Sequence, residues 1–429
     1  MLLETLYPLF LILLFSVIIT KSKYFNRSEI GSPLLVLGFL LKCISAFYFG
    51  YLFNKNILTG NDTFNYLRNS EIIYSSIQES WLTYFKLTFG RNWHSNPDSN
   101  LIPYIDKMDF WYDNSNYLMV RINAIIRLFS FGIYNVHAVI FAFISFMGIY
   151  NLYLFFENKV FNKRILQLIL FGIPSIVFWT SGVHKEAIVV FALGMSLYNT
   201  DNLFSYQYER KHVIRTILGL FILGSIRIYI LAFLIPLYIA IILSQKISFP
   251  KRTFRFYAIL MIFLCIISLA LIDTLIPNFS LFNEFIVRRT HFLRASGNTT
   301  FDVITNFNSI ESFFLVIIDA IINPFIHPFP NESNLFLVFI ASLETYLMLF
   351  IILATVFSLS YKNLYKNPYA LFCILFSLSI LFLIGLIVNN SGAIVRYRSI
   401  AIPFLLIGLC LLYKPKENLQ IETEVGITK

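Results

Sequence analysis

The sequence predicts an all-α membrane protein, a transmembrane bundle of about eleven helical spans, within a range of about ten to thirteen. Two observations carry this prediction. Of the 429 residues, 58% are hydrophobic and only 13% are charged, which is more apolar surface than a soluble domain of this length can bury. The apolar residues also fall into separate runs of about 15 to 24 residues, the length of a helix that crosses a bilayer.

The first apolar run, 6–20, is expected to be a retained span. Glu4 and Thr5 precede it where a signal peptide has a basic region, and no small-residue cleavage site follows. The chain is predicted to form a single transmembrane domain over 1–413, followed by a short cytoplasmic tail over 414–429. The predicted spans are, in order, 6–20, 33–53, 136–156, 165–181, 187–200, 213–226, 228–244, 256–276, 335–358, 368–388 and 399–413.

Lys and Arg residues collect in alternate loops, those after spans one, three, five, seven, nine and eleven. Cytoplasmic loops of membrane proteins are enriched in these residues. We therefore expect a multi-pass protein with the N-terminus outside and the C-terminus in the cytoplasm. The same enrichment accounts for the net charge of +10, so no nucleic-acid partner is predicted.

Two long connections, about 54–135 and 278–334, are predicted on the extracytoplasmic face. Loops of this length in compact proteins are usually functional. Within the first loop, 117–131 has a helical pattern with two arginines and is expected to lie along the membrane interface. Within the second, 310–326 is apolar but contains Asp319 and ends in a proline-rich stretch, which indicates a re-entrant or interfacial helix.

A short polar turn between two apolar runs is the most unusual feature of the sequence. It contains His184, Lys185 and Glu186, three titratable groups next to each other beside hydrocarbon. Ionisable groups at that position are costly and are often functional. The predicted topology places this turn on the extracytoplasmic face.

Other polar groups are predicted on the same face, among them Asp62 in a Gly-Asn-Asp turn and several cations. Arginine binds phosphate oxygens through two parallel hydrogen bonds, so an anionic lipid-linked partner such as a polyprenyl phosphate or diphosphate sugar is expected. A carboxylate there would act as general base on an acceptor hydroxyl. The candidate catalytic residues are Asp62 and Glu186, and the candidate substrate-binding residues are Tyr66, His184, Lys185, Arg227, Arg288, Arg289, His291, Arg294, Arg396 and Arg398.

No cofactor is predicted, although a divalent cation at Asp62 stays open. The four cysteines, Cys43, Cys265, Cys373 and Cys410, lie inside apolar runs without paired spacing. They are interpreted as inert core residues.

Three segments resemble bacterial integral-membrane glycosyltransferases with the C-type fold and the related exopolysaccharide and O-antigen repeat-unit polymerases. The first is Gly-x-Asp-x-x-x-Tyr at Gly60, Asp62 and Tyr66, in an outward loop after an early span. The others are 174–186, which includes the polar turn, and 396–403. The resemblance implies a location in a bacterial inner membrane and transfer of sugars from polyprenyl carriers during surface-glycan assembly. Membrane lipid and other glycan-assembly proteins are the implied partners.

Each candidate also has a structural alternative. Asp62 would serve as a helix cap, Lys185 and Glu186 would pair with each other, the arginines near 288–294 would bind lipid headgroups, and those near 396–398 would anchor a span. His94, His291 and His327 are individually more typical of structural histidines. Lys42 and Glu344, inside predicted spans, would form a buried pair or line a polar pathway.

Two alternative functions stay open. One is a flippase or transporter of lipid-linked oligosaccharide, for which Lys42 and Glu344 would matter most. The other is a structural subunit, for which the outer charges would be dispensable.

Overall fold

A computed structural model describes residues 2–55, 62–90, 97–205, 209–246, 281–294, 299–303, 310–333, 335–358 and 367–412, together with the single positions 259, 263 and 267. No β-strand occurs in these ranges. The predicted all-α class is therefore confirmed. The predicted span 256–276 lies outside the described residues, apart from those three single positions. Gly60, His94 and Cys265 also lie outside them.

The helices follow the apolar runs closely. The ones used below are α1 Leu2–Lys21, α2 Ser32–Asn54, α3 Asp62–Ser75, α4 Trp81–Phe89, α5 Ile102–Ile105, α6 Asn114–Ser130, α7 Tyr134–Phe156, α8 Lys163–Gln167, α9 Pro174–Trp179, α10 Lys185–Ser205, α11 Arg210–Ile226, α12 Ile228–Lys246, α13 Leu281–Arg294, α14 Ile310–Ile326, α15 Phe336–Ser358, α16 Pro368–Ile387 and α17 Ser391–Leu412.

Seven of the described helices are long and apolar enough to cross a membrane, which supports a multi-pass membrane protein. Two shorter apolar helices, Ile228–Ile242 and Phe314–Ile326, accompany them. The count of eleven spans stays a prediction. The seven are Leu2–Arg27, Ser32–Asn54, Tyr134–Phe156, Lys185–Phe204, Phe336–Phe357, Pro368–Ile387 and Ser391–Leu412.

The predicted span 165–181 is not a continuous helix. It begins as α8, passes through a π-helical turn at Leu168–Gly172, and restarts as α9 at Pro174. Proline has no N–H and excludes the preceding residue from the helical region, and Ile173 is extended accordingly. The segment still passes along α2, since Phe171 packs against Gly38 and Phe178 lies 5.5 Å from Phe49 between ring centroids.

The last span begins earlier than the predicted 399–413. Helix α17 starts at Ser391, where the Asn390 side chain accepts a hydrogen bond from the Ala393 N–H over 3.0 Å. The sequence prediction was wrong at this boundary because a cation ends an apolar run but does not end a helix. Arg396 and Arg398, which were expected before the span, lie inside α17.

The chain divides into two compact units. Unit 1 comprises Met1–Phe155 and Phe171–Leu231, and unit 2 comprises Phe156–Leu170 and Ala232–Lys429. The prediction that 1–413 form one transmembrane domain stays a prediction.

In unit 1, glycines allow α7 and α10 to pack backbone to backbone. A Cβ on Gly194 would lie 2.1 Å from the Gly148 carbonyl oxygen, and one on Gly148 would lie 2.4 Å from the Phe191 Cα. Small residues permit this close approach between membrane helices. A larger side chain at either glycine would push α10, which carries Lys185 and Glu186, away from α7.

The two ends of helix α10 lie in different surroundings within unit 1. At its C-terminal end, His212 Nδ1 lies 2.8 Å from Asn199 Oδ1, and the basic loop after α1 is close, since Arg27 interacts electrostatically with Glu209. The 21 residues of α10 extend about 30 Å, so Lys185 and Glu186 lie at the opposite end. That the end with Lys185 and Glu186 faces outward, and the other end the cytoplasm, stays a prediction.

Candidate functional site

A buried ion pair organises the end of unit 1 that carries the polar turn. Glu186, in the first turn of α10, accepts a hydrogen bond at Oε1 from Arg227 Nη2 over 2.9 Å. Arg227 lies at the break between α11 and α12. The Glu186 side chain is fully buried and that of Arg227 is 9% exposed. Because an isolated charge at this depth is costly, each group stabilises the ionised form of the other.

His184 lies beside this pair inside an aromatic cluster. Its Nδ1 is 3.6 Å from Glu186 Oε2. The edge of the imidazole packs against Phe49 with 4.4 Å between ring centroids, and Trp179 lies 6.4 Å away. His184 is fully buried, so it is placed to hold the turn in its conformation.

Lys185 connects the turn to α6. Its ammonium donates a hydrogen bond to Ser115 Oγ over 2.6 Å. Ser115 is in the first turn of α6, where the Asp113 side chain caps the helix by accepting from the Ser115 and Asn116 N–H groups at 3.0 Å. Lys185 is 7% exposed.

The start of α3 reaches the same place. Thr63 Oγ1 donates to the Val183 carbonyl oxygen over 3.3 Å. The Tyr66 hydroxyl donates to Asn116 Oδ1 over 2.6 Å, and Asn116 Nδ2 in turn donates to Asp113 Oδ2 over 2.8 Å. Asp62 is the first residue of α3 and is half-buried. The hydrogen bond from Thr63 holds the first turn of α3, and Asp62 with it, against the polar turn.

Six of the predicted site residues therefore meet at one end of unit 1: Asp62, Tyr66, His184, Lys185, Glu186 and Arg227. Sequence reasoning missed Asp113, Ser115 and Asn116, which connect them. A signal was present, because Asp followed by Asn-Ser-Asn before a helical apolar pattern is typical of a helix N-cap.

Lys42 occupies a separate buried niche in unit 1. Its ammonium lies 2.7 Å from Thr180 Oγ1, 2.9 Å from Ser145 Oγ and 3.4 Å from Ser181 Oγ. The Thr180 hydroxyl donates to the Ile176 carbonyl over 2.7 Å, so its oxygen is available to accept from Lys42. The described residues contain no carboxylate paired with Lys42. The niche lies where α9 ends, just before the polar turn.

The other six predicted site residues belong to unit 2. Arg288, His291 and Arg294 are exposed on α13. Arg289 is buried on the opposite side of that helix and donates from Nη1 to the Leu386 carbonyl. Burial lowers the pKa of Arg289, while the nearby Asp319 charge acts in the opposite direction.

The two arginines of α17 differ in environment. Arg396 is half-buried, with its guanidinium 5.5 Å from the centre of the Tyr397 ring. Arg398 is 1% exposed; its Nη1 donates to the carbonyls of His327 at 2.7 Å and Pro324 at 3.1 Å, and its Nη2 donates to Thr345 Oγ1. Glu344 lies within electrostatic range. Arg398 therefore holds the end of α14 to α15 and α17.

The described residues contain no group of three or more His, Cys, Asp and Glu side chains that would hold a metal ion. The expectation that the protein needs no cofactor stays a prediction.

Comparison with other proteins gives no assignment: no protein-family model, no curated protein and no solved structure matches this chain.

Proposed function

We propose that the protein is an integral-membrane glycosyltransferase or polysaccharide polymerase. It would take sugars from polyprenyl phosphate or diphosphate carriers at the extracytoplasmic face during surface-glycan assembly. The observation that supports this proposal best is the convergence of Asp62, Lys185 and the Glu186–Arg227 pair at one end of α10, away from the basic loop at its other end.

The burial of the charged groups indicates which of them hold the structure and which bind the ligand. Glu186 and Arg227 neutralise each other and are enclosed by protein, so they are best suited to hold the turn. Lys185 is the candidate cation for a phosphate oxygen, because its ammonium carries three N–H donors, one of which is directed to the Ser115 hydroxyl. An incoming phosphate would form a charge-assisted hydrogen bond, which is stronger than the one to a hydroxyl.

Asp62 is the candidate base in this proposal. It is half-buried, whereas Glu186 is fully buried. A general base must come within hydrogen-bond distance of the acceptor hydroxyl, which favours the more accessible carboxylate. The exposed side chains of Arg288, His291 and Arg294 remain candidate ligands for phosphate groups within unit 2.

A complementation experiment tests the proposal. A strain without the gene would receive wild-type protein, Lys185→Met, Asp62→Asn or the control Lys86→Met, and the surface glycan would be measured at equal protein abundance. Lys86 is a suitable control because it is an exposed lysine that pairs with Asp98. We expect loss of glycan in the first two variants only, whereas a full amount in both would refute the proposal.

A flippase or transporter of lipid-linked oligosaccharide is the second candidate. It is favoured by the buried Lys42 and by the interrupted helix beside it, since interrupted helices often form the binding sites of transporters. The location of the accumulated intermediate separates the two functions. In the deletion strain, a transferase leaves lipid-linked sugars on the outer face, whereas a flippase leaves them on the inner face, protected from periodate added outside.

A further inference from the structure

In unit 2, a histidine outside the set of predicted site residues is held by a carboxylate. His327 follows the last turn of α14, and its Nδ1 is hydrogen-bonded to Glu332 Oε1. The same carboxylate oxygen accepts from the Phe329 N–H over 2.9 Å. A loop of only a few residues therefore joins the two groups, and its backbone also holds the carboxylate.

Packing fixes the imidazole plane. The ring lies parallel to Phe301 with 3.9 Å between centroids and 9° between planes, and Phe329 packs against it edge-on at 4.8 Å. The Phe301 N–H donates to the Asn389 carbonyl over 3.0 Å, so the Phe301 backbone is also fixed. Arg398 holds the His327 carbonyl at 2.7 Å. Both the ring and the backbone of His327 are thus positioned before any ligand binds.

The charge on Glu332 determines which ring nitrogen carries the proton. Burial raises the pKa of Glu332, but the hydrogen bonds with His327 and the Phe329 N–H and the nearby Ser391 lower it by more, so the carboxyl is ionised at neutral pH. An ionised carboxylate only accepts hydrogen bonds, so Nδ1 carries the proton. In the neutral ring, Nε2 then has the lone pair.

Nε2 is available to a ligand. It makes no hydrogen bond within the described part of the chain, and 9% of the His327 side chain is exposed. His137 is a useful contrast, because its Nδ1 lies 2.8 Å from Asn123 Oδ1, its Nε2 lies 2.8 Å from Ser130 Oγ, and the residue is fully buried. His137 therefore has both nitrogens engaged, whereas His327 has one engaged and one available.

We propose that His327 and Glu332 form a proton-accepting dyad that binds a hydroxyl group of a sugar ligand through His327 Nε2 and removes its proton. A base held by a carboxylate through its other nitrogen is the arrangement that activates hydroxyl nucleophiles. The identity of the hydroxyl, an acceptor sugar, rests on the proposed function.

In that reaction the electrons and protons balance as follows. The acceptor O–H proton moves to Nε2, and the oxygen forms a bond to the anomeric carbon of the donor sugar. The bond from that carbon to the phosphate oxygen breaks, and its electron pair leaves with the polyprenyl phosphate or diphosphate. Glu332 stabilises the imidazolium until the proton passes to water. The dyad is thus a candidate base within unit 2, whereas Asp62 is the candidate base within unit 1.

Chemical labelling tests the dyad without reference to glycan synthesis. Diethyl pyrocarbonate acylates unprotonated imidazole nitrogens, and peptide mass spectrometry would measure the rate at each histidine of the protein in membrane vesicles. The exposed His291 is the positive control and His137 the negative control. The reaction is run at about pH 8, above the ordinary imidazole pKa of about 6.5, so that protonation does not decide the rate. We expect labelling of His327 well above that of His137, and a slower rate in Glu332→Ala, because the carboxylate makes the neutral ring more nucleophilic, with the His291 rate unchanged. Labelling no faster than His137, or a rate that Glu332→Ala does not change, would overturn the dyad.

A second measurement tests the reaction. His327→Gln should lower glycan formation by at least about a hundredfold, the usual contribution of a general base, with protein abundance and thermal stability maintained. Normal glycan in His327→Gln, with none in Asp62→Asn, would assign the base to Asp62 and overturn the proposal. If deletion of the gene leaves the glycan unchanged, the proposed function fails, and the labelling result alone decides whether the dyad exists.

Discussion

Arg227 and Glu186 form a buried ion pair, with 2.9 Å between Arg227 Nη2 and Glu186 Oε1. It joins the first turn of α10 to the break between α11 and α12. The pair therefore fixes the backbone from which Lys185 projects, and it lies at the centre of the proposed site.

The first prediction concerns the stability of this pair. Arg227→Ala or Glu186→Gln alone leaves the remaining group buried without its partner and should cost about 3–5 kcal/mol. The double variant Glu186→Gln with Arg227→Met removes both charges and should cost less than either single change. Thermal unfolding of the purified protein in detergent measures all three, and a double variant as unstable as the sum of the singles would show that the two groups do not interact.

Much of the fold follows from the sequence because local chemistry decides it. The pattern over 310–326 predicts α14 with the bounds observed, Ile310–Ile326, and the pattern over 117–131 predicts most of α6. The break at Pro174 was missed because a count of apolar residues does not detect a missing N–H. Hydrophobicity alone therefore locates membrane segments better than it locates their interruptions.

The site was only partly predictable, because its contacts join residues far apart in sequence. The polar turn and Asp62 stand out as charges beside apolar runs. Ser115 and Asn116 are ordinary polar residues, and only the packing of α6 brings them to Lys185 and Tyr66. Arg398 was predicted to bind substrate, which stays a prediction; the contacts of its Nη1 and Nη2 with protein oxygens of α14 and α15 could not be read from the sequence.

The second prediction tests the connection through α6. Asp113→Ala removes the N-cap of that helix and should cost about 1 kcal/mol of stability. It should also lower glycan formation, because Ser115 and Asn116 would shift. Asn162→Ala is the matched control, since Asn162 caps α8 by accepting from the Arg164 and Ile165 N–H groups and contacts none of the candidate site residues in the described chain. Equal glycan loss in both variants would show a general effect of destabilisation.

The third prediction separates the structural role of Lys42 from a transport role. Lys42→Met removes a charge that is costly to bury and should leave stability unchanged or higher. Thr180→Val removes the acceptor at 2.7 Å and should cost about 1–3 kcal/mol. Thermal unfolding checks both. A stable Lys42→Met protein that makes normal glycan would exclude Lys42 as the transport residue, whereas a stable but inactive one favours the flippase.

The fourth prediction is a pH dependence that arises from Glu332. Burial raises its pKa, but the hydrogen bonds lower it by more, so the folded value is below the ordinary value of 4.5. A depressed carboxyl pKa contributes stability that is fully present above the unfolded value and is lost as the pH falls through the folded value. The melting temperature of the wild type should therefore fall on acidification below pH 4.5, and that of Glu332→Gln should fall less over the same interval. Identical acid profiles would contradict the assignment.

Binding of a polyprenyl diphosphate to the purified protein in lipid nanodiscs tests the central claim, that the Lys185 end of unit 1 is a phosphate site. A charge-assisted hydrogen bond contributes about 1.5–3 kcal/mol, so Lys185→Met should weaken binding by about tenfold to a hundredfold. The exposed control Lys86→Met should bind as the wild type does. Equal affinity of Lys185→Met and the wild type would contradict the account.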